Sequence, residues 1–167
     1  IQYICSMSTS NTNMFKPSMS RDIPEDRTVF NTNLRDTTAP NEEPQDVPIT
    51  EKWDEMELPE HVLRGIFAYG YEEPSPIQKR AICPMLSGRD LIAQAQSGTG
   101  KTATFSIGSM SRINLASKTT QVLCLAPTRE LTMQIATVYK GISQFLEDIK
   151  VVTLVGGESV DNNVRTL

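Results

Sequence analysis

The feature that most constrains this chain is the run Ala95-Gln-Ser-Gly-Thr-Gly-Lys-Thr102. It follows a short apolar segment and precedes a stretch with no helix breaker until Gly108, so it predicts a strand, a tight loop and a helix start. Glycines at 98 and 100 let successive backbone N–H groups point inward, and the helix N-terminus adds about half a positive charge. The pattern therefore predicts a phosphate-binding loop.

Two residues of this loop are candidate catalytic groups. Lys101 is expected to reach the β- and γ-phosphates of a nucleotide, and the Thr102 hydroxyl is expected to ligate Mg²⁺. Ala95 stands where the general pattern has its first glycine, which weakens the motif taken alone. The alternative is an ordinary turn with a solvated lysine, and the flanking strand and helix argue against it.

Composition sets broader limits. The chain has 167 residues, 38% of them hydrophobic, which suits one domain. Its net charge of -4 gives no general signal for nucleic-acid binding. Three widely spaced cysteines without a C-x-x-C pair predict reduced thiols in an intracellular protein, and no apolar run approaches the ~20 residues that span a bilayer.

The chain divides near residue 53. Residues 1–52 are rich in Asn, Thr, Ser, Pro and Asp, and a segment of this kind cannot bury enough apolar surface to offset its ordering entropy. We therefore predict a disordered polar tail over 1–52 and a folded domain over 53–167. The missing initiator methionine suggests a chain cut from something larger or an incomplete message.

Helix and strand signals alternate through the domain. Helices are predicted over 58–70, with Val62, Leu63, Ile66 and Phe67 on one face, over 77–86 with a bend or end near Pro84, and over about 101–113 and 129–145. Strands are predicted over 90–95, 121–126 and 150–155. Strands that are apolar at nearly every position and are separated by helices indicate an α/β fold, a parallel sheet with helices on both faces. The loops after these strands share the sheet edge where ligands bind.

A second motif, Gly70-Tyr-Glu-Glu-Pro-Ser-Pro-Ile-Gln78, precedes the loop. The Gln78 amide offers a donor and an acceptor, which match the N6 and N7 positions of adenine, and the Tyr71 ring can stack on a base. Taken alone, this is a proline-rich turn with an ordinary glutamine. Ahead of a phosphate loop, it predicts an adenine pocket.

With these residues, the chain resembles the DEAD-box RNA helicases, above all their initiation factor 4A group. The run ending at Gln78 is similar to the Q motif of that family, with Trp53 at its isolated upstream aromatic. Residues 95–102 resemble motif I, where a first alanine is usual. Residues 127–134 resemble motif Ia, and Gly156-Gly157 resembles the glycine doublet.

The resemblance implies a RecA-like phosphate-loop NTPase domain in an RNA-dependent ATPase that unwinds or remodels RNA, with ATP and Mg²⁺ as cofactors. The resemblance assigns Thr102 to Mg²⁺. It also implies that the chain contacts the RNA backbone independently of base sequence, and that this binding is salt-sensitive. The residues implied to bind ATP are Trp53, Tyr71, Gln78, Ala95, Gln96, Ser97, Gly98, Thr99, Gly100, Lys101 and Thr102. Those implied to bind RNA are Pro127, Thr128, Arg129, Gly156 and Gly157. Without the resemblance, Arg129 would be read as a helix residue in a local ion pair.

The family's later motifs, including the Asp-Glu-Ala-Asp box and the arginine finger of a second domain, have no counterpart in this sequence. We therefore expect an incomplete domain, truncated before that box, which neither hydrolyses ATP appreciably nor unwinds RNA and which has unpaired, aggregation-prone strand edges. A non-catalytic ATP- or RNA-binding module is the second interpretation, and an unrelated phosphate-loop kinase or GTPase the third. The resemblance also suggests initiation factors as partners of the full-length parent. The lack of a long apolar run predicts no membrane partner, and the lack of a clear nuclear localisation signal in the tail favours a cytoplasmic location, with the nucleus left open.

Overall fold

The computed structural model describes residues 4–7 and 49–167. Its elements follow in chain order. They are the strand β1 (Ile4–Met7), a 3-10 turn (Trp53–Glu55), the helices α1 (Glu60–Ala68), α2 (Pro76–Leu86) and α3 (Lys101–Met110), the strand β2 (Val122–Leu125), the helix α4 (Arg129–Ile142), a 3-10 turn (Ser143–Phe145) and the helix α5 (Val160–Thr166).

The four predicted helices are present, with two local differences. Val62 and Ile66 of α1 are fully buried, whereas Phe67 is 49% exposed. The buried stripe is therefore narrower than predicted, because residues one full turn apart face the core and the next position turns away. Helix α2 runs past Pro84 to Leu86. The carbonyl that a proline leaves without a donor belongs to Arg80, which is exposed to water.

The sheet differs from the prediction. Strand β2 confirms the strand predicted over 121–126, but 90–95 and 150–155 have no regular secondary structure. Among the described residues the one sheet has two strands, with β1 antiparallel to β2. A strand needs a hydrogen-bonded neighbour, and in this part of the chain neither segment has one. The predicted parallel arrangement is therefore not formed within the described residues.

Strand β1 also departs from the disordered tail predicted over 1–52. Its register pairs Ile4 with Leu125 and Met7 with Val122. The edge of β2 carries unpaired backbone groups, and even a short segment can saturate them by strand addition. Residues 1–3 and 8–48, which make up most of the predicted tail, lie outside the described residues.

Helix α3 forms the centre of the core. Every residue from Ala103 to Met110 is buried, and α3 packs between α2 and α4. The Ser109 hydroxyl and the Tyr139 hydroxyl of α4 share a hydrogen bond of 2.7 Å, which satisfies both buried groups. On the far side, α1 meets the end of α4 so closely that a Cβ on Gly65 would lie 1.9 Å from the carbonyl oxygen of Ile142.

Candidate functional site

The loop before α3 adopts the conformation that its glycines allow. Gly98 and Gly100 have φ values of 80° and 94°, in the left-handed region that favours glycine. The Lys101 ammonium lies across the loop and donates to the carbonyl oxygens of Ala95, at 2.7 Å, and Gln96, at 2.5 Å. The lysine and the start of α3 therefore concentrate positive charge at one concave turn of backbone.

Gln78 is the residue that joins the upstream motif to this loop. Its side chain is 2% exposed. Its Oε1 accepts from the Ser75 backbone N–H at 2.7 Å, and its Nε2 donates to the Gly100 carbonyl oxygen at 3.4 Å. The same carbonyl accepts from the Thr104 hydroxyl at 2.9 Å. A Cβ on Gly100 would lie 2.8 Å from Gln78 Nε2 and would displace this amide, and the φ of 94° favours glycine as well.

The loop residues differ in their exposure to solvent. Gln96, Ser97 and Gly98 are exposed at the tip of the loop. Thr99 is partly buried and its hydroxyl donates to the Gln96 carbonyl oxygen at 2.8 Å. Thr102 lies half-buried in the first turn of α3. The structure therefore brings all the predicted residues from Ala95 to Thr102 together around one turn.

The two predicted aromatic residues occupy different environments. Tyr71 is half-buried, with its ring centroid 5.1 Å from that of Tyr69. Burial raises the pKa of the Tyr71 phenol above its ordinary value, and Tyr69 adds to the rise. Trp53 belongs to the hydrophobic core and is 2% exposed. The Trp53 ring is therefore packed in the core of this structure.

The segment that carries Trp53 is attached to α2. The Thr50 backbone N–H donates to the Lys79 carbonyl oxygen at 3.1 Å, and the Thr50 hydroxyl lies 3.2 Å from the Cys83 thiol. Glu51 forms an ion pair with the Lys79 ammonium. These contacts begin three residues before the predicted domain start at Trp53, and they hold the helix on which Gln78 lies.

A second group of predicted residues lies at the start of α4. The Thr128 hydroxyl caps this helix by accepting from the Leu131 backbone N–H at 3.3 Å. The Arg129 guanidinium donates through Nη2 to the Gly156 carbonyl oxygen at 3.0 Å. Motif Ia and the glycine doublet, which are 27 residues apart, therefore meet on an exposed surface that also includes Pro127 and Gly157.

Sequence reasoning missed Ser75 and Thr104 as supporting residues. Both act through the loop, because Ser75 holds the Gln78 amide and Thr104 holds the Gly100 carbonyl. A signal for Ser75 was available, since Ser-x-x-Gln before a helix is a capping-box pattern. Nothing in the sequence marked Thr104, whose role depends on the turn of α3.

The described residues contain neither a carboxylate, imidazole and thiol cluster for a metal nor a membrane-spanning helix. No group of three or more His, Cys, Asp or Glu side chains in this part of the chain could hold a metal ion. Within the same residues, no helix has the length and apolar character needed to cross a bilayer.

Comparison with known proteins identifies the family. The family model described as "DEAD/DEAH box helicase" matches residues 75–167, more than half of the chain. The chain belongs to the DEAD/DEAH box helicase family. The match begins at Ser75, where the capping pattern of the Q motif starts, and it includes the phosphate loop and both members of the Arg129–Gly156 contact.

Sequence relatives agree with this family. The chain is 56% identical over 108 residues to "ATP-dependent RNA helicase eIF4A" of Saccharomyces cerevisiae (strain YJM789), an overlap of 65% of this chain and 27% of the relative. It is 50% identical over 123 residues to "ATP-dependent RNA helicase fal1" of Schizosaccharomyces pombe, covering 74% and 31% of the two chains. This DEAD/DEAH box chain thus spans about a third of its relatives' length, or less.

Solved structures confirm the fold class. A DEAD box protein from the hyperthermophile Methanococcus jannaschii matches with a TM-score of 0.65 and 28% identity, over 71% of this chain and 32% of that one. Dbp5 of S. cerevisiae, solved bound to RNA and ADP BeF3, matches with a TM-score of 0.57 and 36% identity, over 65% and 29%. The helicase chain described here therefore has the RecA-like α/β fold in partial form.

Proposed function

We propose that this chain is the nucleotide-binding and RNA-contacting part of an ATP-dependent RNA helicase related to initiation factor 4A. The observation that carries this proposal is the Gln78 amide, which bonds the adenine-reading turn to the last glycine of the phosphate loop. Base and phosphates would thus bind to one connected unit. Relatives named as ATP-dependent RNA helicases support the same activity.

The residues present fit a nucleoside phosphate. Lys101 uses two of its three N–H donors on the carbonyl oxygens of Ala95 and Gln96, which leaves one for a phosphate oxygen. The Gln78 amide uses one acceptor position and one N–H on Ser75 and Gly100, and its side chain is 2% exposed. An adenine edge would therefore reach its remaining acceptor and N–H only when the packing around it opens. Backbone N–H groups of the loop and of the start of α3 complete the anion site.

Mg²⁺ fits the same site through the Thr102 hydroxyl in the first turn of α3, because hydroxyl and phosphate oxygens are the hard ligands that this ion prefers. When bound, the ion would neutralise phosphate charge. Lys101 would hold the β- and γ-phosphates, and the loop would orient them.

The proposed RNA surface consists of Pro127, Thr128, Arg129, Gly156 and Gly157. These residues offer hydroxyl, guanidinium and backbone N–H donors and no base-reading pocket, so binding would be independent of sequence and sensitive to salt. The structural relative Dbp5 was solved bound to RNA and ADP BeF3, which supports RNA binding as the role of this surface but does not identify its residues.

Nucleotide binding tests the proposal. A fluorescent ADP analogue is titrated with the chain, and ADP and GDP are used as competitors. Lys101→Ala should weaken ADP binding at least about tenfold, because a charge-assisted hydrogen bond to phosphate contributes about 1.5–3 kcal/mol. Lys118→Ala, which removes one exposed positive charge elsewhere, is the matched control. GDP that competes as well as ADP would contradict the role of Gln78 and favour a phosphate-loop kinase or GTPase.

Hydrolysis by the chain and the mass of the endogenous protein together test the second candidate, a non-catalytic binding module. We predict that the 167-residue chain binds nucleotide but shows no RNA-stimulated turnover, because groups such as an arginine finger supply about 10³–10⁵ in rate. This result agrees with a helicase part and with a non-catalytic binding module. An immunoblot of the endogenous protein distinguishes them, since a mass more than twice 18.6 kDa indicates the helicase. For that parent we propose a cytoplasmic role with translation initiation factors as partners.

A further inference from the structure

Arg129 occupies a position that is electrostatically unfavourable for an arginine. It is the first residue of α4, where the helix dipole is positive, and a cation there costs about 0.3–1 kcal/mol at an exposed site. Glu130 beside it has the favourable sign. A compensating contact is therefore expected, and the contact present is the 3.0 Å hydrogen bond from Arg129 Nη2 to the Gly156 carbonyl oxygen.

This bond fixes the direction of a neighbouring donor. The peptide between Gly156 and Gly157 is trans and planar, so its C=O and its N–H point in opposite directions. Because the carbonyl oxygen points to the Arg129 guanidinium, the Gly157 N–H points away from that guanidinium. Gly157 has φ of 89°, and nothing lies within 4 Å of the position where a Cβ would be. Gly157 also lies on the exposed surface, so an incoming phosphate can approach this turn.

We infer that Arg129 is a positioning residue, which clamps the Gly156 carbonyl and thereby directs the Gly157 N–H toward an RNA phosphate. The inference rests on the proposed RNA-binding function and changes one part of it. The guanidinium stabilises the turn, and the phosphate ligand at this point is the backbone N–H. Arg129 then contributes to RNA affinity without neutralising a phosphate itself.

Backbone dynamics test the clamp without RNA. The full 167-residue chain is labelled with ¹⁵N, and the order parameter of the Gly157 amide is measured in the wild type, Arg129→Met and Arg129→Lys. We expect the wild-type value near about 0.85, a fall below about 0.6 in Arg129→Met, and a smaller fall in Arg129→Lys. Arg80→Met, on the exposed face of α2, removes an equal charge and should leave Gly157 unchanged. An unchanged order parameter in Arg129→Met overturns the inference.

Salt dependence separates a clamp from a phosphate ligand. Affinity for a fluorescein-labelled single-stranded oligouridylate is measured across about 50–200 mM salt. If Arg129 is a clamp, Arg129→Met should weaken RNA affinity about fivefold, which corresponds to the loss of one hydrogen bond. The slope of log affinity against log salt concentration should then equal that of Arg80→Met. A slope smaller by about 0.7 than that of Arg80→Met shows phosphate neutralisation and overturns the inference. If the wild type fails to bind this RNA, the proposed RNA function is wrong, and the Gly157 dynamics alone decide whether Arg129 clamps the turn.

Discussion

The loop that precedes α3 and the loop that precedes α5 share one local pattern, yet the structure supports them very differently. Each follows an apolar segment, contains a glycine with φ near 90°, and leads into a helix. Helix α3 is buried along nearly its whole length, and its loop is bonded to Gln78 and Thr104. Helix α5 has no buried residue.

This difference shows that a local pattern fixes a loop only where packing fixes the following helix. A seven-residue helix is marginal in isolation, because nucleation is costly and few hydrogen bonds repay it. The second loop is instead held by one long side chain, Arg129. The nucleotide end of the chain is therefore preorganised by a core, and the proposed RNA end is held by single polar contacts.

The largest expected difference is in stability, between truncating a side chain in α3 and truncating one in α5. Ile107 of α3 is fully buried, and Ile107→Ala should lower the free energy of unfolding by about 2–5 kcal/mol through lost burial and a residual cavity. Val164 of α5 is 67% exposed, and Val164→Ala should change the free energy of unfolding by less than about 0.5 kcal/mol. Urea denaturation followed by circular dichroism measures both. Equal losses of stability at the two positions would contradict the proposal that core packing holds α3 but not α5.

Gly100 in the first loop and Gly157 in the second, both left-handed, give a narrower comparison. Alanine at either position incurs the strain of a positive φ, about 1–2 kcal/mol. At Gly100 the new Cβ would also lie 2.8 Å from Gln78 Nε2, whereas at Gly157 it meets nothing within 4 Å. We expect Gly100→Ala to lower the thermal midpoint clearly more than Gly157→Ala and also to abolish ADP binding. A larger loss of stability in Gly157→Ala would contradict this account of the loops.

The sequence predicted the first loop well because its pattern is short-range. The glycine spacing and Lys101 act within a few residues, and the structure brings them together around one turn. The Ser75-x-x-Gln78 pattern is equally short-range, although it was missed. The sheet was less predictable, because a strand at 90–95 or 150–155 depends on partners far away in the chain. Burial of Trp53 was missed for a related reason, since its core neighbours come from several helices.

Removing the amide of Gln78 should have an intermediate effect on the first loop. Gln78→Met preserves approximate shape but leaves the partly buried Ser75 N–H without its acceptor, at a cost of about 1 kcal/mol. Arg129→Met at the second loop should cost little stability, because the residue is exposed. Thermal unfolding of both variants checks the contrast. A Gln78→Met variant as stable as the wild type would show that the amide does not hold the loop.

The smallest expected effect concerns Tyr71, whose pKa burial raises and Tyr69 raises further. The unfolded state loses the phenol proton first as the pH rises past about 10, so the native state then holds more protons. The contribution of Tyr71 to stability is complete below that pH and is lost as the pH rises through the native pKa. We therefore expect alkaline pH to destabilise the wild type more than Tyr71→Phe. Because burial is the larger cause, Tyr69→Phe should keep most of this dependence. Urea midpoints measured from pH 8 to pH 11 provide the check, and a Tyr69→Phe variant with no remaining dependence would assign the shift to the ring pair instead of to burial.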